Sequence, residues 1–274
     1  MPLRGTQEAR SRCGLRRSHH PGADASQKSN RVNPAELVVL PDRDALIQRV
    51  SADVVHHLEH LLASQDVVHL SLTGGTVGIA VLNQIGNEHT AVDWTRVHLW
   101  WSDERWLARH DPERNAQQAR PGFIDRLPFS LTHVHEMPAP DDGLSLDEAA
   151  LAYADELRAV GLGVAGLGFD ISLLGVGADG HVASLFPDQG RDLEGHQAVL
   201  AVRHSPKPPP ERLSLSLDAI NSSQHVWVAA VGEDKSGAIA ATRILTNDRR
   251  LPVALVHGRA ETRIYCDVSA SPQQ

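Results

Sequence analysis

The 274 residues of the chain, 41% of them hydrophobic, are enough to bury a sizeable core as one large domain or two small ones. No apolar run reaches the roughly 18–20 residues of a membrane-spanning helix, so we expect a soluble protein that does not act on a membrane. The two cysteines, Cys13 and Cys266, lack metal-ligand or redox spacing, which argues against structural zinc and favours a reducing, cytoplasmic compartment.

Charge is distributed unevenly along the chain, whose formal net charge is −8. Residues 1–33 contain seven arginines and lysines but two acidic residues, a balance of +5 that leaves −13 on the rest. A body this acidic argues against a nucleic-acid or membrane partner, and an anionic ligand has to be held by a local group of cations. We predict a disordered basic extension over 1–33, because it lacks apolar periodicity and a secretory core; an organelle transit peptide is the alternative.

The first predicted elements are a strand over residues 36–40 and a helix that Asp42 is placed to cap. An i, i+4 pair of histidines on this helix is compatible with metal binding, but no glutamate stands in the register that a zinc-protease helix requires. We therefore assign the helix histidines to a solvated face: His56, His57 and His60.

A glycine turn follows the second apolar strand, residues 67–72, and precedes a helix predicted over 77–85. A strand, a glycine turn and a helix start leave free backbone N–H groups and the positive end of the helix dipole at one point. The turn therefore predicts a phosphate site, with a plain tight turn as the alternative, and no dinucleotide fingerprint or Walker lysine accompanies it. Its residues are Thr73, Gly74, Gly75 and Thr76.

A charged cluster, Asp103-Glu104-Arg105, follows the third apolar strand, residues 97–101. We interpret it as a loop at the carboxyl end of the strand, which faces the same crevice as the glycine turn. A solvated loop is the alternative. Further along, a helix is predicted between Pro112 and Pro121, and a short edge strand over 133–135.

A second glycine-rich turn, residues 175–181, follows an apolar strand over 169–174. This strand comes after a helix that a capping box opens at Ser145. The turn contains Asp179 and His181 on either side of a glycine, which allows backbone angles that turn both side chains toward one cavity. An N-capping aspartate beside a solvated histidine is the alternative.

The last third of the chain adds further strands and three cations. A proline-rich link between strands over 198–203 and 213–217 favours a fixed spacing of Lys207 and Arg212, with an inert rigid linker as the alternative. A strand over 226–231 precedes a helix that starts near Lys235 and runs to Leu245. Strands are then predicted over 253–256 and 263–266.

The alternation of strands and helices, with several nearly all-apolar strands, predicts an α/β fold with a mostly parallel sheet covered on both faces. We expect one compact domain over 34–268 and a frayed C-terminus over 269–274.

The strand-end loops offer an anion cradle, a histidine and several cations, but no cysteine nucleophile, Gly-x-Ser-x-Gly elbow or metal-ligand series. This combination favours histidine acid–base chemistry on a small phosphorylated substrate, without a metal or another cofactor.

Five segments together resemble the 6-phosphogluconolactonases of the oxidative pentose phosphate pathway. They are LTGGT, WSDERW followed by ERN, GVGADGHVASLFP, KPPPERLSLS and GEDKSGA, and the resemblance covers essentially residues 34–268, with the segments in order. The resemblance implies a Rossmann-like, mostly parallel sheet and the hydrolysis of 6-phosphoglucono-δ-lactone to 6-phosphogluconate without a cofactor. A small phosphorylated sugar lactone is thus the expected partner, and a monomer the expected state.

The resemblance also implies roles for the residues singled out above. His181 would take a proton from water and Asp179 would orient it, while Arg105 would stabilise the oxyanion or clamp the substrate, two roles that stay open. Asp103 is the fourth catalytic candidate. The glycine turn would cradle the phosphate together with the three cations Lys207, Arg212 and Lys235.

Two other functions are weighed against hydrolysis. The related glucosamine-6-phosphate deaminase/isomerase group has a similar glycine turn and Asp-Gly-His, but its loop continues into Phe-Asn-Glu-Pro, whose glutamate moves protons. Phe186 stands at that position here, and a phenyl ring cannot do so. A non-catalytic sugar-phosphate-binding module is the second alternative, because one fold serves many functions.

Overall fold

The structure is a computed structural model, and it describes five stretches of the chain: residues 34–88, 91–163, 168–187, 197–243 and 251–272. The predicted extension over 1–33 lies outside the described residues, as does the end of the helix predicted to reach Leu245.

A parallel sheet forms the centre of the fold and has six strands within the described residues, in the order β1-β9-β8-β5-β2-β3. Every neighbouring pair is parallel, and the interior strands are apolar and buried, so the predicted α/β fold class is confirmed. The strands are β1 (Glu36–Leu40), β2 (Val68–Leu72), β3 (Val97–Trp101), β5 (Ile171–Gly175), β8 (His225–Ala230) and β9 (Glu261–Asp267).

A second, antiparallel sheet has three strands in the described part of the chain, β4 (Asp103–Arg105), β7 (Arg212–Leu215) and β6 (Val199–Val202), in that order. The prediction of a loop over 103–105 is therefore wrong. Three residues are too few to show a strand period, and they are extended because they pair with β7, more than a hundred positions later.

The helices begin largely where the sequence predicts caps. Asp42 accepts the backbone N–H of Ala45 at 2.9 Å, and Ser145 forms a capping box with Glu148. Among the described residues, no helix is both long and apolar enough to cross a bilayer. The helices are α1 (Arg43–Leu62), α2 (Gly75–Asn87), α3 (Asn115–Ala119), α4 (Leu146–Ala159), α5 (Leu217–Asn221) and α6 (Ser236–Arg243).

Two further short segments differ from their predicted states. The expected edge strand over 133–135 is a 3₁₀ turn, Leu131–His133, followed by a single bridge from Val134 to β3. The expected strand over 253–256 is also a 3₁₀ turn, Pro252–Ala254. Short apolar runs of this kind have no period of their own, so their surroundings decide their conformation.

The end of the described chain is a turn, although the sequence predicted a frayed end there. The backbone N–H of Ala270 donates to the backbone and side-chain oxygens of Asp267, and Ala270 is buried. Ala270, a small apolar residue three positions after the end of β9, thus packs against the core. The polar composition of the tail did not indicate this contact.

Several histidines pack near the amino ends of the strands, away from the strand ends that carry the predicted site. His98 on β3 contacts His135, with 2.9 Å between Nδ1 and Nε2, and its ring stacks on His133. His57 was predicted to be solvated, but its ring packs on His225 at a centroid distance of 4.1 Å. Helix α1 directs His57 toward β8. The periodicity of the helix alone does not reveal this contact with His225.

Burial lowers the pKa of His57, His69 and His98 to about 4 in each case, because the packed rings have little room for a hydrated charge. Their ordinary pKa of 6.5 applies to the unfolded chain. Between these values the unfolded state binds more protons than the folded state, so stability is lost as the pH falls through this window.

We expect the melting temperature to fall steadily as the pH is lowered from 6.5 toward 4, and the variant His98→Gln to show a shallower fall. Each proton taken up on unfolding contributes about 1.4 kcal/mol per pH unit at 25 °C. Thermal melts across this range measure the slope of melting temperature against pH. The matched control is His56→Gln on the exposed face of α1, which should keep the wild-type slope; an unchanged slope for His98→Gln would contradict the account.

Candidate active site

The carboxyl ends of β2, β5 and β8 and the second sheet border a cleft of about 510 Å³. The segments that follow parallel strands meet at one edge, so residues from distant parts of the sequence line a common space. Of the eleven predicted site residues, Asp179 alone is not in the cleft wall. The ten that line it are Thr73, Gly74, Gly75, Thr76, Asp103, Arg105, His181, Lys207, Arg212 and Lys235.

His181 and Asp179 form a hydrogen-bonded pair, with 2.5 Å between Nδ1 and the carboxylate oxygen Oδ1. An ionised carboxylate only accepts, so Nδ1–H donates and Nε2 keeps its lone pair. Gly177 makes the pair possible, because a Cβ atom there would lie 2.0 Å from Nδ1 of the imidazole. Gly180 has a φ of +80°, the left-handed conformation that brings the two side chains together.

The surroundings of this pair keep the imidazole neutral and the carboxyl ionised. Burial lowers the pKa of His181 below its ordinary value, and the bond to Asp179 offsets part of that effect. Burial alone would raise the pKa of Asp179, but the hydrogen bonds from the side chain and backbone of His181 oppose it, and this pKa lies below its ordinary value. At neutral pH the pair can therefore accept a proton at Nε2.

The glycine turn forms the start of α2. Gly74 caps the helix, and Gly75, with a φ of +77°, is its first residue. Gly75 and Thr76 are exposed to the cleft, so the helix start can present N–H groups to an anion. Thr73 connects this turn to β5, because its Oγ1 accepts the backbone N–H of Gly175 at 3.2 Å.

Asp103 is buried and its carboxylate is already engaged by the protein. One oxygen accepts the hydroxyl of Ser184 at 2.7 Å and the other accepts the side-chain amide of Asn115 at 3.3 Å. The guanidinium of Arg212 lies 3.9 Å from the carboxylate of Asp103. These contacts tie β4 to the loop that carries His181, three residues before Ser184.

Arg105 and Arg212 are directly opposite each other in the β4–β7 pairing. Arg212 is 6% exposed and donates to the backbone oxygens of Lys207 (3.2 Å), Pro208 (2.9 Å) and Pro209 (3.2 Å). Burial lowers its pKa, and the neighbouring Arg105 acts in the same direction. Arg212 therefore holds the shape of the proline-rich link as well as lining the cleft.

The other two predicted cations differ in their surroundings. Lys207 is exposed on the proline-rich link. Lys235 is half-buried, and its ammonium lies 2.8 Å from the carboxylate of Asp234. Within the described residues, no group of three or more histidine, cysteine, aspartate or glutamate side chains is arranged to hold a metal ion.

Sequence reasoning missed the polar residues that support the site from behind. Glu104 is 1% exposed and accepts the backbone N–H groups of Arg105, Asn115 and Ala116. Burial raises its pKa to about 7, against the opposing effect of the buried Arg114 nearby. In the sequence, only the resemblance of the ERN segment to the family pointed to Arg114 and Asn115. A single sequence does not show which residues of that segment are buried.

Comparisons with known proteins agree on one family. The model described as glucosamine-6-phosphate isomerases/6-phosphogluconolactonase matches residues 41–265. A 6-phosphogluconolactonase of Streptomyces coelicolor is 39% identical to the chain over 245 residues, which cover 87% of this chain and 94% of that protein. A 6-phosphogluconolactonase of Mycobacterium tuberculosis is 37% identical over 240 residues, 86% of this chain and 97% of that protein.

Solved structures agree on the fold. The crystal structure of 6-phosphogluconolactonase from Thermotoga maritima is similar with a TM-score of 0.76 and 24% identity, over 85% of this chain and 99% of that one. The family assignment itself rests on the model match and on the curated relatives. Together they establish that the chain belongs to the family of glucosamine-6-phosphate isomerases and 6-phosphogluconolactonases.

Proposed function

We propose that this protein hydrolyses 6-phosphoglucono-δ-lactone to 6-phosphogluconate. The observation that carries the proposal is the His181–Asp179 pair, whose histidine lines one cleft with the glycine turn at the start of α2. A neutral imidazole supplies the base for an attacking water, and a helix start supplies a site for a phosphate. The relatives named above as 6-phosphogluconolactonases support the choice of substrate.

In the proposed reaction, Nε2 of His181 removes a proton from water as the water oxygen bonds to the lactone carbonyl carbon. The carbonyl oxygen becomes an oxyanion, and Asp179 stabilises the imidazolium that forms. When the oxyanion collapses, the bond between this carbon and the ring oxygen breaks, and the imidazolium returns its proton to that leaving oxygen. The products are an open-chain carboxylic acid, which then ionises, and the starting form of the enzyme.

The charged residues of the cleft divide between binding and support in this proposal. The N–H groups of the glycine turn bind the phosphate, with Lys207 and Lys235 as its charged partners. Arg105 serves the oxyanion or the phosphate. Arg212 and Asp103 act chiefly as supports, because their polar atoms are engaged by the link and by Ser184, respectively.

Deamination of glucosamine 6-phosphate is the second candidate, because the family model that matches residues 41–265 also describes glucosamine-6-phosphate isomerases. The observation against it is Phe186, which is 1% exposed and whose ring centroid lies 4.7 Å from that of His181. A buried phenyl ring beside the imidazole cannot carry a proton, so this position supplies no second acid or base.

We also infer that the protein acts as a cytoplasmic monomer. The free thiol of Cys266 is buried, as suits a reducing compartment.

One assay separates the candidate functions. Purified protein is given fresh 6-phosphoglucono-δ-lactone and, separately, glucosamine 6-phosphate. Acid release from the lactone above its spontaneous rate supports the proposal. Ammonia release from the amino sugar would instead identify a deaminase, and tight binding without turnover would identify a binding module.

The variant His181→Ala should lower kcat for the lactone by about 10²–10⁴-fold, the usual contribution of a positioned base, and leave the melting temperature near that of the wild type. Stopped-flow measurement of acid release tests the first part and thermal melts the second. His110→Ala, an exposed histidine outside the cleft wall, is the control. A near-normal kcat in the His181 variant would remove it as the base.

The variant Asp179→Asn should lower kcat about 10²-fold or more, because an amide no longer selects the tautomer with a free Nε2. It should also move the acid limb of kcat/KM to lower pH. That limb reports the pKa of His181, which the carboxylate raises, so removing the charge lowers it further. An acid limb at an unchanged or higher pH would contradict this role.

Lys207→Ala should raise KM about tenfold with little change in kcat, because a phosphate contact stabilises the bound substrate and the transition state alike. Arg212→Ala should raise KM too, but it should also lower the melting temperature by several degrees, since three backbone oxygens lose a buried donor. Arg203→Ala, an exposed arginine outside the cleft wall, is the control. An unchanged KM in both cleft variants would locate the phosphate elsewhere.

A further inference from the structure

Asn115, the first residue of α3, lies between two walls of the cleft and is 1% exposed. Its backbone N–H donates to the Glu104 carboxylate at 2.7 Å. Its side-chain amide nitrogen donates to the backbone oxygen of Asp103 at 2.8 Å and faces the carboxylate of the same residue at 3.3 Å. Three polar contacts thus attach this residue to β4.

These contacts also fix which way the side-chain amide points. Both neighbours of its nitrogen, the carbonyl and the carboxylate of Asp103, are acceptors, so a flipped amide would bring oxygen against oxygen. The Oδ1 atom of Asn115 must therefore point away from β4. It is buried, and no hydrogen-bond donor of the described residues reaches it.

Oδ1 points at the glycine turn. A Cβ atom at Gly74 would lie 1.8 Å from this oxygen, much closer than van der Waals contact allows. Gly74 itself has a φ of −85°, which other residues adopt readily, so its backbone conformation does not require glycine. The requirement for glycine comes from Asn115, whose amide occupies the space that a side chain would fill.

We propose that Asn115 is a positioning residue for substrate binding, which rests on the proposed function of the cleft. It joins Asp103 on one wall to Gly74 on the other, and Gly74 is the cap from which α2 and its first N–H groups start. The side chain thereby sets where the N–H groups of Gly75 and Thr76 stand relative to His181. Because the phosphate is not altered in the reaction, a misplaced turn weakens binding more than it slows the chemical step.

The first test compares a phosphorylated and an unphosphorylated substrate in Asn115→Ala. KM for 6-phosphoglucono-δ-lactone should rise at least tenfold while kcat changes less than threefold. The loss in kcat/KM should be at least five times greater for this substrate than for glucono-δ-lactone. Equal losses on both lactones, or a loss confined to kcat, would overturn the proposal. Wild-type protein that hydrolyses neither lactone would instead overturn the proposed function.

The second test uses the steric relation between the two residues. Gly74→Ala in the wild-type background should raise KM more than tenfold, because its methyl group meets Oδ1 and displaces the turn. In the Asn115→Ala background the same change should add less than twofold, because that oxygen is gone. Effects that multiply independently in the double variant would overturn the proposal.

Two controls keep the second test interpretable. Gly237→Ala on α6 is the matched substitution, because a Cβ atom there meets nothing within 4 Å, and KM should stay at its wild-type value. Circular dichroism and thermal melts establish that each variant is folded. If Gly74→Ala alone does not fold, recovery of folding in the double variant supports the same steric contact, and continued failure to fold contradicts it.

Discussion

The position of β2 between β3 and β5 is the constraint on which the cleft depends. Since all three strands are parallel, the segments that follow them emerge at one edge of the sheet. The glycine turn after β2 and the Asp179–His181 turn after β5 thereby become neighbours, and the hydrogen bond between Thr73 and Gly175 joins residues 102 positions apart. The residues proposed for acid–base chemistry and for anion binding share a cleft because of this strand order.

The second sheet brings two arginines to the cleft of a chain that is acidic as a whole. Pairing of β4 with β7 sets Arg105 opposite Arg212, an arrangement that is unfavourable for like charges. The buried carboxylate of Asp103 and the backbone oxygens of the proline-rich link compensate part of this repulsion. An anionic substrate would compensate more of it, so this pairing favours binding of a phosphorylated ligand in the proposed function.

Local chemistry explains what the sequence determined by itself. Near-continuous apolar runs predicted the strands of the parallel sheet, and capping residues such as Asp42 and Ser145 predicted where helices start. The glycine turns at 73–76 and 175–181 were visible for the same reason, since a backbone that has to turn sharply beside a ligand needs residues without a Cβ atom. The order of these signals along the chain was enough to predict a parallel sheet with its site at the strand ends.

Tertiary structure alone decided the features that depend on contacts between distant segments. Three residues became β4 because β7 pairs with them, and His57 became half-buried because α1 turns it toward His225. Asn115 gained its place from Asp103 and Gly74, one residue on each side, and no spacing in the sequence encodes that meeting. Periodicity and capping report on neighbours a few positions apart, whereas buried polar contacts form only after the sheet has brought remote side chains within hydrogen-bond distance.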